Sequence, residues 1–125
     1  HPTEAQHGDL GILQKNDICI LISNSGKTRE VIEFKTLAKN LIPDLEFIVI
    51  TSNNNPDFID DKTYLLLTGN KEELCPLGLT PTLSTTKMMV IGDILVVLLM
   101  DKIKFSKEDY SKRHHGGYLG QMSKK

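Results

Sequence analysis

The chain has 125 residues, of which 39% are hydrophobic and 25% are charged, and its formal net charge is -1 at pH 7. This composition is typical of a soluble domain with a sizeable core, and the lack of a basic excess argues against a nucleic acid or membrane partner. Two cysteines make no disulfide framework and favour a reduced, cytoplasmic environment. No linker-like run interrupts the sequence, which predicts a single domain over residues 1–125.

The first predicted elements surround one apolar strand. Residues 1–11 are polar and contain two glycines, so they predict a short helix or loop. Ile18–Ile22 is an apolar and mostly β-branched run, typical of a strand buried on both faces. A helix is predicted over residues 28–42, where apolar side chains recur at helical spacing until Pro43.

A hydroxyl-rich turn joins this strand to this helix. Backbone N–H groups at a helix N-terminus, the helix dipole and nearby hydroxyls together favour an anion, and a phosphate is the natural occupant. Leu21 stands where a Walker A loop needs glycine, which argues against a nucleotide P-loop. Capping by Ser25 or Thr28 is the alternative, although it accounts for only one hydroxyl. The predicted phosphate-binding residues are Ser23, Asn24, Ser25, Gly26 and Thr28.

The next elements continue the alternation of strands and helices. Strands are predicted over residues 47–51 and Thr63–Leu67, with one helical turn over residues 57–61 between them. Such alternation is typical of a parallel sheet that helices cover on both faces. Ligands of these sheets bind at the carboxyl ends of the strands, which is where the hydroxyl-rich turn lies.

The last third of the chain is predicted to be mostly helical. A buried helix is expected from residue 84 to about residue 103. Its strongly apolar part, residues 88–100, is shorter than the ~20 residues that a membrane span needs. A short helix over residues 105–113 and a Gly-rich loop over residues 114–120 follow.

Further residues have side chains suited to anion binding or proton transfer. The second candidate anion contact consists of the hydroxyl residues that open the long helix, Ser84, Thr85 and Thr86. The titratable candidates are His7, Glu30, Glu73 and His114. Taken singly, each also has an ordinary interpretation as a helix N-terminal acid, a loop acid or a surface histidine. No Cys-x-x-Cys or His-x-x-x-His pattern accompanies His114 and His115, so we predict no metal site.

Several stretches resemble one family of enzymes. Residues 22–30, Ile-Ser-Asn-Ser-Gly-Lys-Thr-Arg-Glu, resemble the signature of the sugar isomerase (SIS) domain. Residues 1–11, residues 75–86 and the closing His-His-Gly-Gly-Tyr-Leu-Gly resemble, more narrowly, the D-arabinose 5-phosphate isomerases. His115 stands where that family usually has proline. The resemblance covers essentially the whole chain.

The resemblance implies a fold and an activity. The family has a doubly wound, flavodoxin-like α/β fold with a five-stranded parallel sheet, so the first strand and helix, and an upstream lysine near the substrate, would be missing here. Its members interconvert D-ribulose 5-phosphate and D-arabinose 5-phosphate through a cis-enediol. This reaction leads to 3-deoxy-D-manno-octulosonate (Kdo), a sugar of lipopolysaccharide and capsules. No cofactor is required, and a homotetramer is expected.

The resemblance also implies roles for the matching positions. The phosphate would be held by Ser23, Ser25 and Thr28, with Ser84, Thr85 and Thr86 nearby. Glu30 or Glu73 would be the base and His114 its acid–base partner, with His7 also in the active site. A glutamate of raised pKa or a histidine titrating near neutrality suits such proton transfers.

Three other functions are compatible with the sequence. A non-catalytic SIS sensor would need the phosphate turn but neither Glu73 nor His114. An isomerase of another phosphosugar is the second, although residues 75–86 and 114–120 argue against it. A downstream acidic sugar could also bind the same pocket as a feedback inhibitor, because the pocket is expected to be rich in hydroxyls, histidines and backbone donors.

Overall fold

The computed structural model describes residues 1–69, 72–114 and 116–123. The chain forms two compact units, His1–Ile91 and Gly92–Lys125. The strands are β1 (Ile18–Ile22), β2 (Glu46–Thr51) and β3 (Thr63–Leu67), and the helices are α1 (Pro2–Ala5), α2 (Arg29–Leu41), α3 (Leu83–Lys102), α4 (Lys107–Arg113) and α5 (Gly117–Met122). The first unit contains all three of these strands, and α3 continues from the first unit into the second.

The three strands form one parallel sheet in the order β1-β2-β3, which confirms the predicted α/β class. Leu21 of β1 lies opposite Val49 of β2 in the register. Ser23, Ser52 and Thr68 directly follow the three strands. Because the strands run in the same direction, these polar residues lie at the same edge of the sheet, where ligands of parallel sheets bind.

The core of the first unit lies between the sheet and α2. Val31 and Ala38 are about two helical turns apart, so they share the face of α2 that packs on the strands. Pro43 follows α2 and cannot continue it, since proline has no N–H to donate. The buried cluster consists of Leu21, Val31, Ala38, Leu45, Phe47 and Val49. The predicted strands and the helix over residues 28–42 are confirmed to within one residue at each end.

The prediction that β1 is buried on both faces is wrong for the described residues. Ile18, Ile20 and Ile22 are 55%, 50% and 56% exposed, whereas Leu21 on the opposite face is buried. β1 is an edge strand of this sheet. An apolar run indicates that a strand needs cover on both sides, but it does not say which segment supplies that cover.

Two local predictions need correction. Residues 57–61 form no helical turn. The Phe58 carbonyl accepts a hydrogen bond from Lys35 Nζ, and the Lys62 N–H donates to Asp60 Oδ1, so these two backbone groups do not pair with each other as they would in a helix. The predicted loop over residues 114–120 overlaps the helix Gly117–Met122, which begins within it. Its residues Tyr-Leu-Gly-Gln-Met include good helix formers, and the glycines on either side of the helix start led us to predict a loop.

The predicted apolar helix is confirmed as α3, but it is not buried. Only 6% of its most apolar 18-residue window is buried in the structure. Among the described residues, α3 is the one helix long and apolar enough to cross a membrane by length and composition. A single helix of this kind is weak evidence for a span, because the core helices of larger soluble proteins share these features.

Candidate active site

The turn between β1 and α2 is closed by its own backbone and by two hydroxyl groups. The Ser23 N–H donates to the Ile50 carbonyl of β2 (3.1 Å), and the Gly26 N–H donates to the Ser23 carbonyl (3.1 Å). The buried Ser23 hydroxyl lies 2.7 Å from Thr28 Oγ1. Two of the predicted phosphate-binding side chains are therefore in contact at the carboxyl end of β1.

Helix capping does not explain these hydroxyls. Thr28 directly precedes α2, yet its side chain makes no capping hydrogen bond. Ser25 Oγ instead accepts the Lys27 N–H within the turn (3.1 Å). The Ser25 N–H has no acceptor among the residues that the structure describes. This N–H group, together with those that begin α2, is available to an anion.

A cavity of about 660 Å³ opens beside the turn. Thr28 and Glu30 belong to its walls, together with apolar residues such as Ile20, Val31 and Phe34. Glu30 is half-buried in the first turn of α2. The volume lies within the range of ~300–1,000 Å³ that is usual for small-molecule sites. A ligand whose anion binds the turn would therefore have a carboxylate beside it.

Gly26 is the position of the turn least able to accept a side chain. Its φ is +62°, and a Cβ there would lie 3.1 Å from Asn53 Cβ and 3.2 Å from Thr51 Oγ1. We expect Gly26→Ala to lower the free energy of unfolding by about 2 kcal/mol, measured by urea denaturation. Gly69→Ala is the matched control, because φ is +79° there but nothing lies within 4 Å of the added Cβ. Equal losses in the two variants would contradict the close approach at Gly26.

Sequence reasoning missed three residues that hold this turn. Thr51, Ser52 and Asn53 end β2 or follow it, and their side chains bond to the carbonyls of Asn24 and Ser25. Residue 51 falls in the strand predicted over residues 47–51, and the next two residues belong to no predicted helix or strand. The sequence does contain a signal, because small polar residues follow a predicted strand of the parallel sheet, and ligands of such sheets bind at the carboxyl ends of the strands.

Glu73 is bound to the start of α3. Its Oε2 accepts the Thr82 N–H (2.9 Å), the Thr82 hydroxyl (3.1 Å) and the Ser84 N–H (3.1 Å). Hydrogen bonds from Ser84 and then Thr82 lower the pKa of Glu73 to about 2. A carboxylate with so low a pKa is a weak proton acceptor near neutral pH.

The second predicted anion contact already has this carboxylate as its partner. The Ser84 N–H is engaged by Glu73, and the Thr85 and Thr86 hydroxyls donate to the Thr82 carbonyl at 2.9 Å and 3.1 Å. Among the described residues, no hydrogen bond joins this group to the turn between β1 and α2. That Ser84, Thr85 and Thr86 bind a phosphate stays a prediction.

The two histidines of the predicted site lie in different units. His7 is exposed in the turn after α1, where its backbone N–H donates to the Glu4 carbonyl (2.9 Å). The ring of His114 stacks on Tyr110 at the end of α4, with centroids 4.3 Å apart. His115 lies outside the described residues. In the part of the chain that the structure describes, no group of three His, Cys, Asp or Glu side chains could hold a metal ion.

Cys75 has a more acidic thiol than an ordinary cysteine. Its Sγ accepts the N–H groups of Thr80 (3.1 Å) and Leu79 (3.2 Å), and these bonds lower its pKa to about 7. Burial and then the charge of Asp17 raise the pKa of Cys19. At pH 7 we expect iodoacetamide to alkylate Cys75 about tenfold faster than Cys19. Peptide mass spectrometry of timed reactions measures both thiols in one sample, and faster modification of Cys19 would contradict the geometry of this loop.

Comparison with known proteins identifies the family. Residues 1–98 match the family model of the SIS domain. The chain belongs to the SIS domain family. It is 40% identical over 121 residues to arabinose 5-phosphate isomerase KdsD of Francisella tularensis and, equally, to arabinose 5-phosphate isomerase KpsF of Escherichia coli. Each alignment covers 97% of this SIS chain and 36% of the relative, so the chain spans little more than a third of these proteins.

Solved structures share the fold. A Bacteroides fragilis protein assigned as a phosphosugar isomerase involved in capsule formation superposes with a TM-score of 0.89 at 61% identity, over 94% of this chain and 62% of that one. Escherichia coli CFT073 c3406, solved in complex with A5P, superposes with a TM-score of 0.82 at 34% identity, over 91% of this chain and 60% of that one. The SIS-type α/β fold expected from the sequence is confirmed.

Proposed function

We propose that the protein carrying this SIS chain is an aldose–ketose isomerase that interconverts D-ribulose 5-phosphate and D-arabinose 5-phosphate. The observation that carries the proposal is the turn between β1 and α2, where the Ser23 and Thr28 hydroxyls are in contact and Thr28 lines, together with Glu30, the adjoining cavity. Similarity to proteins named arabinose 5-phosphate isomerase, and to one solved with A5P, supports this substrate. The product would feed Kdo synthesis for lipopolysaccharide or capsule.

The turn would anchor the substrate by its phosphate. Ser23 and Thr28 offer hydroxyl groups, and the N–H of Ser25 offers a backbone donor, at the N-terminus of α2, where the helix dipole favours an anion. Anchoring of the non-reacting phosphate supplies binding energy that orients the reacting carbons. No metal or organic cofactor takes part in this proposal.

Glu30 is the proposed base. It would remove a proton from C1 of ribulose 5-phosphate, and the electrons of that bond would form the C1–C2 double bond of a cis-enediol as O2 gains a proton. Return of a proton to C2, with loss of the proton on O1, gives arabinose 5-phosphate. His114 is the proposed partner for the two oxygens, and His7 a further active-site residue. Glu73 is the weaker candidate for the base, because hydrogen bonds lower its pKa to about 2.

Proton NMR in D2O tests the proposal directly. The protein is incubated with ribulose 5-phosphate, and the expected result is arabinose 5-phosphate carrying deuterium at C2. Saturation transfer to the sugar phosphate without turnover would instead favour a sensor module. Turnover of a hexose phosphate in preference to the pentose phosphate would favour an isomerase of another phosphosugar. A folded sample that shows no turnover and no binding would overturn the proposal.

His114→Ala should lower turnover by about 10²-fold or more, because an acid–base partner typically contributes at least that factor. The described contacts of His114 are its stacking on Tyr110 and its backbone bond to the same residue, so the loss of packing is small. Steady-state rates and the thermal unfolding midpoint measure the two effects. Tyr110→Leu is the control, since it removes the stacking and retains the imidazole. Unchanged turnover in His114→Ala would remove this role.

We also propose that the protein is a cytoplasmic homotetramer. The support is the apolar surface of α3, where Met89, Val97 and Leu98 are among the exposed residues. A helix without a polar side is typically covered by further protein or by lipid. Sedimentation equilibrium of the detergent-free protein should give four times the protomer mass. A soluble monomer would contradict the assembly, and recovery only from membranes would contradict the location.

A downstream acidic sugar of the pathway is a further proposed ligand of the same pocket. Its carboxylate would bind the donors of the turn in place of the phosphate. Competition by Kdo in the isomerase assay measures this binding. Absence of inhibition at millimolar Kdo would remove the proposal without affecting the isomerase.

A further inference from the structure

The carbonyl of Asn24, in the middle of the phosphate turn, is held by three donors from the end of β2. It accepts the Ser52 N–H (3.0 Å), the Ser52 hydroxyl (2.7 Å) and the Thr51 hydroxyl (3.2 Å). The side chain of Thr51 is fully buried, and that of Ser52 is nearly so. All three donors come from the end of β2, so together they fix the direction of this carbonyl.

Asn53 holds the next carbonyl in the same way. Its Nδ2 donates to the Ser25 carbonyl (3.0 Å), while its own N–H donates to Thr51 Oγ1 (3.1 Å) and its Oδ1 accepts the Asn55 N–H (3.1 Å). Asn53 is 8% exposed. Both the oxygen and the nitrogen of its side-chain amide are thus hydrogen-bonded, which fixes the direction in which Nδ2 points towards the turn.

These bonds determine where the N–H groups of the turn point. In a trans peptide the carbonyl of one residue and the N–H of the next point in opposite directions. With the Asn24 carbonyl directed at β2, the Ser25 N–H is directed away from β2. That N–H has no acceptor among the described residues, as an anion donor requires. A Cβ at Gly26 would lie 3.1 Å from Asn53 Cβ, so the turn packs directly against Asn53.

We propose that Thr51, Ser52 and Asn53 are positioning residues for the phosphate group of the substrate. They hold two carbonyls of the turn towards β2, which fixes the backbone of the turn and leaves the Ser25 N–H facing the ligand, and they touch no substrate atom themselves. The inference rests on the proposed function for the identity of the sugar phosphate. It goes beyond it in assigning phosphate affinity to residues of β2 rather than only to the turn.

The test compares ligand affinity with stability in matched variants. Ser52→Ala and Asn53→Ala each remove donors to the turn, and Thr51→Ser retains the hydroxyl as the conservative variant. Thr63→Val is the control, because it removes a hydroxyl bond of 2.6 Å to Asp60 at the opposite end of the sheet. Affinity for D-arabinose 5-phosphate and for inorganic phosphate is measured by calorimetry well below the thermal midpoint of each variant, and kcat and KM are measured alongside.

We expect Ser52→Ala and Asn53→Ala to bind both ligands about tenfold more weakly, because that factor corresponds to the loss of about one well-oriented hydrogen bond. Both variants should raise KM more than they lower kcat. Thr51→Ser should bind as the parent does, and Thr63→Val should lose stability at unchanged affinity. Unchanged affinity in Ser52→Ala and Asn53→Ala would overturn the proposal even if they unfold at lower temperature. If the parent binds inorganic phosphate but no sugar phosphate, the proposed function fails while the same comparison still decides the positioning role.

Discussion

Replacing Glu30 by Gln should lower the turnover of ribulose 5-phosphate by about 10³-fold, since a general base typically contributes about 10²–10⁴-fold. Glu30 is half-buried and lines the cavity beside the turn between β1 and α2. Among the described residues, its carboxylate forms no hydrogen bond or ion pair. The amide has the same shape as the carboxylate, so the substitution removes the base and breaks no described contact. The turn is unchanged, and KM should therefore change little.

Two readouts separate a base from a residue of merely structural importance. The first is the exchange of the C1 proton with D2O, which should be lost together with isomerisation if Glu30 removes that proton. The second is a control on the same helix, Glu33→Gln, which deletes a carboxylate that is paired with Arg29 at 2.6 Å and is not a wall of the cavity. Turnover of Glu30→Gln within a few-fold of the parent would exclude Glu30 and transfer the role to Glu73.

The strands of the sheet and α2 were predictable because their signals are local. The apolar run Ile18–Ile22 and the helical spacing after Thr28 each lie within a few residues, and Pro43 marks the end of the helix. The turn between them was predictable for the same reason, since Ser23 and Thr28 lie only five positions apart and meet at 2.7 Å. Local pattern thus predicts both the elements and the contact between the two hydroxyls of the candidate site.

The failures have one physical origin, which is that tertiary contacts act over long sequence distances. Thr51 and Ser52 bond to a carbonyl 27 and 28 residues earlier, and no pattern in either segment reports that contact. The exposed apolar face of β1 and the exposed apolar surface of α3 are further cases in which the contacting segment cannot be identified from the sequence. Sequence indicates that these surfaces need cover but does not name the partner.

Lys35 is a buried residue that the sequence analysis did not single out, although its position in α2 carries a signal. It lies four residues after Val31 and three before Ala38, on the stripe of α2 that packs on the sheet. A lysine on a buried stripe requires a partner, since an unpaired charge in the interior is costly. The partner, Asp60, lies 25 residues later and could not be identified from the sequence.

Asp60→Asn should lower the free energy of unfolding by about 3 kcal/mol, because it leaves Lys35 buried without a charge partner. The side chain of Lys35 is only 4% exposed, and its Nζ lies 2.9 Å from Asp60 Oδ2. The same carboxylate accepts a bond from Lys39 (2.6 Å) and from the Thr63 hydroxyl (2.6 Å). Urea denaturation at pH 7 measures the loss. Glu33→Gln, which breaks an exposed pair with Arg29, should change the stability much less than Asp60→Asn does.

The loss should depend on pH in a defined direction. Partial burial raises the pKa of Asp60, but hydrogen bonds from Lys39, Thr63 and Lys35 outweigh burial and hold that pKa well below its usual range. A carboxyl group whose pKa is lower in the folded state stabilises the fold above its unfolded pKa and loses that contribution as the pH falls towards the folded value. The difference between parent and Asp60→Asn should therefore be complete at pH 7 and shrink below about pH 4.

A second substitution tests whether the buried charge is the cause. Lys35→Met in the Asp60→Asn background removes the unpaired ammonium and retains an apolar side chain beside the rings of Phe47 and Phe58. Replacement of a buried ion pair by apolar residues is often nearly neutral, so the double variant should recover most of the stability that Asp60→Asn loses. If the losses of stability in the single variants Asp60→Asn and Lys35→Met simply add in the double variant, the contribution of Asp60 comes from its bonds to Thr63 and to the Lys62 N–H. The Lys35 pair is then not what joins α2 to the segment before β3.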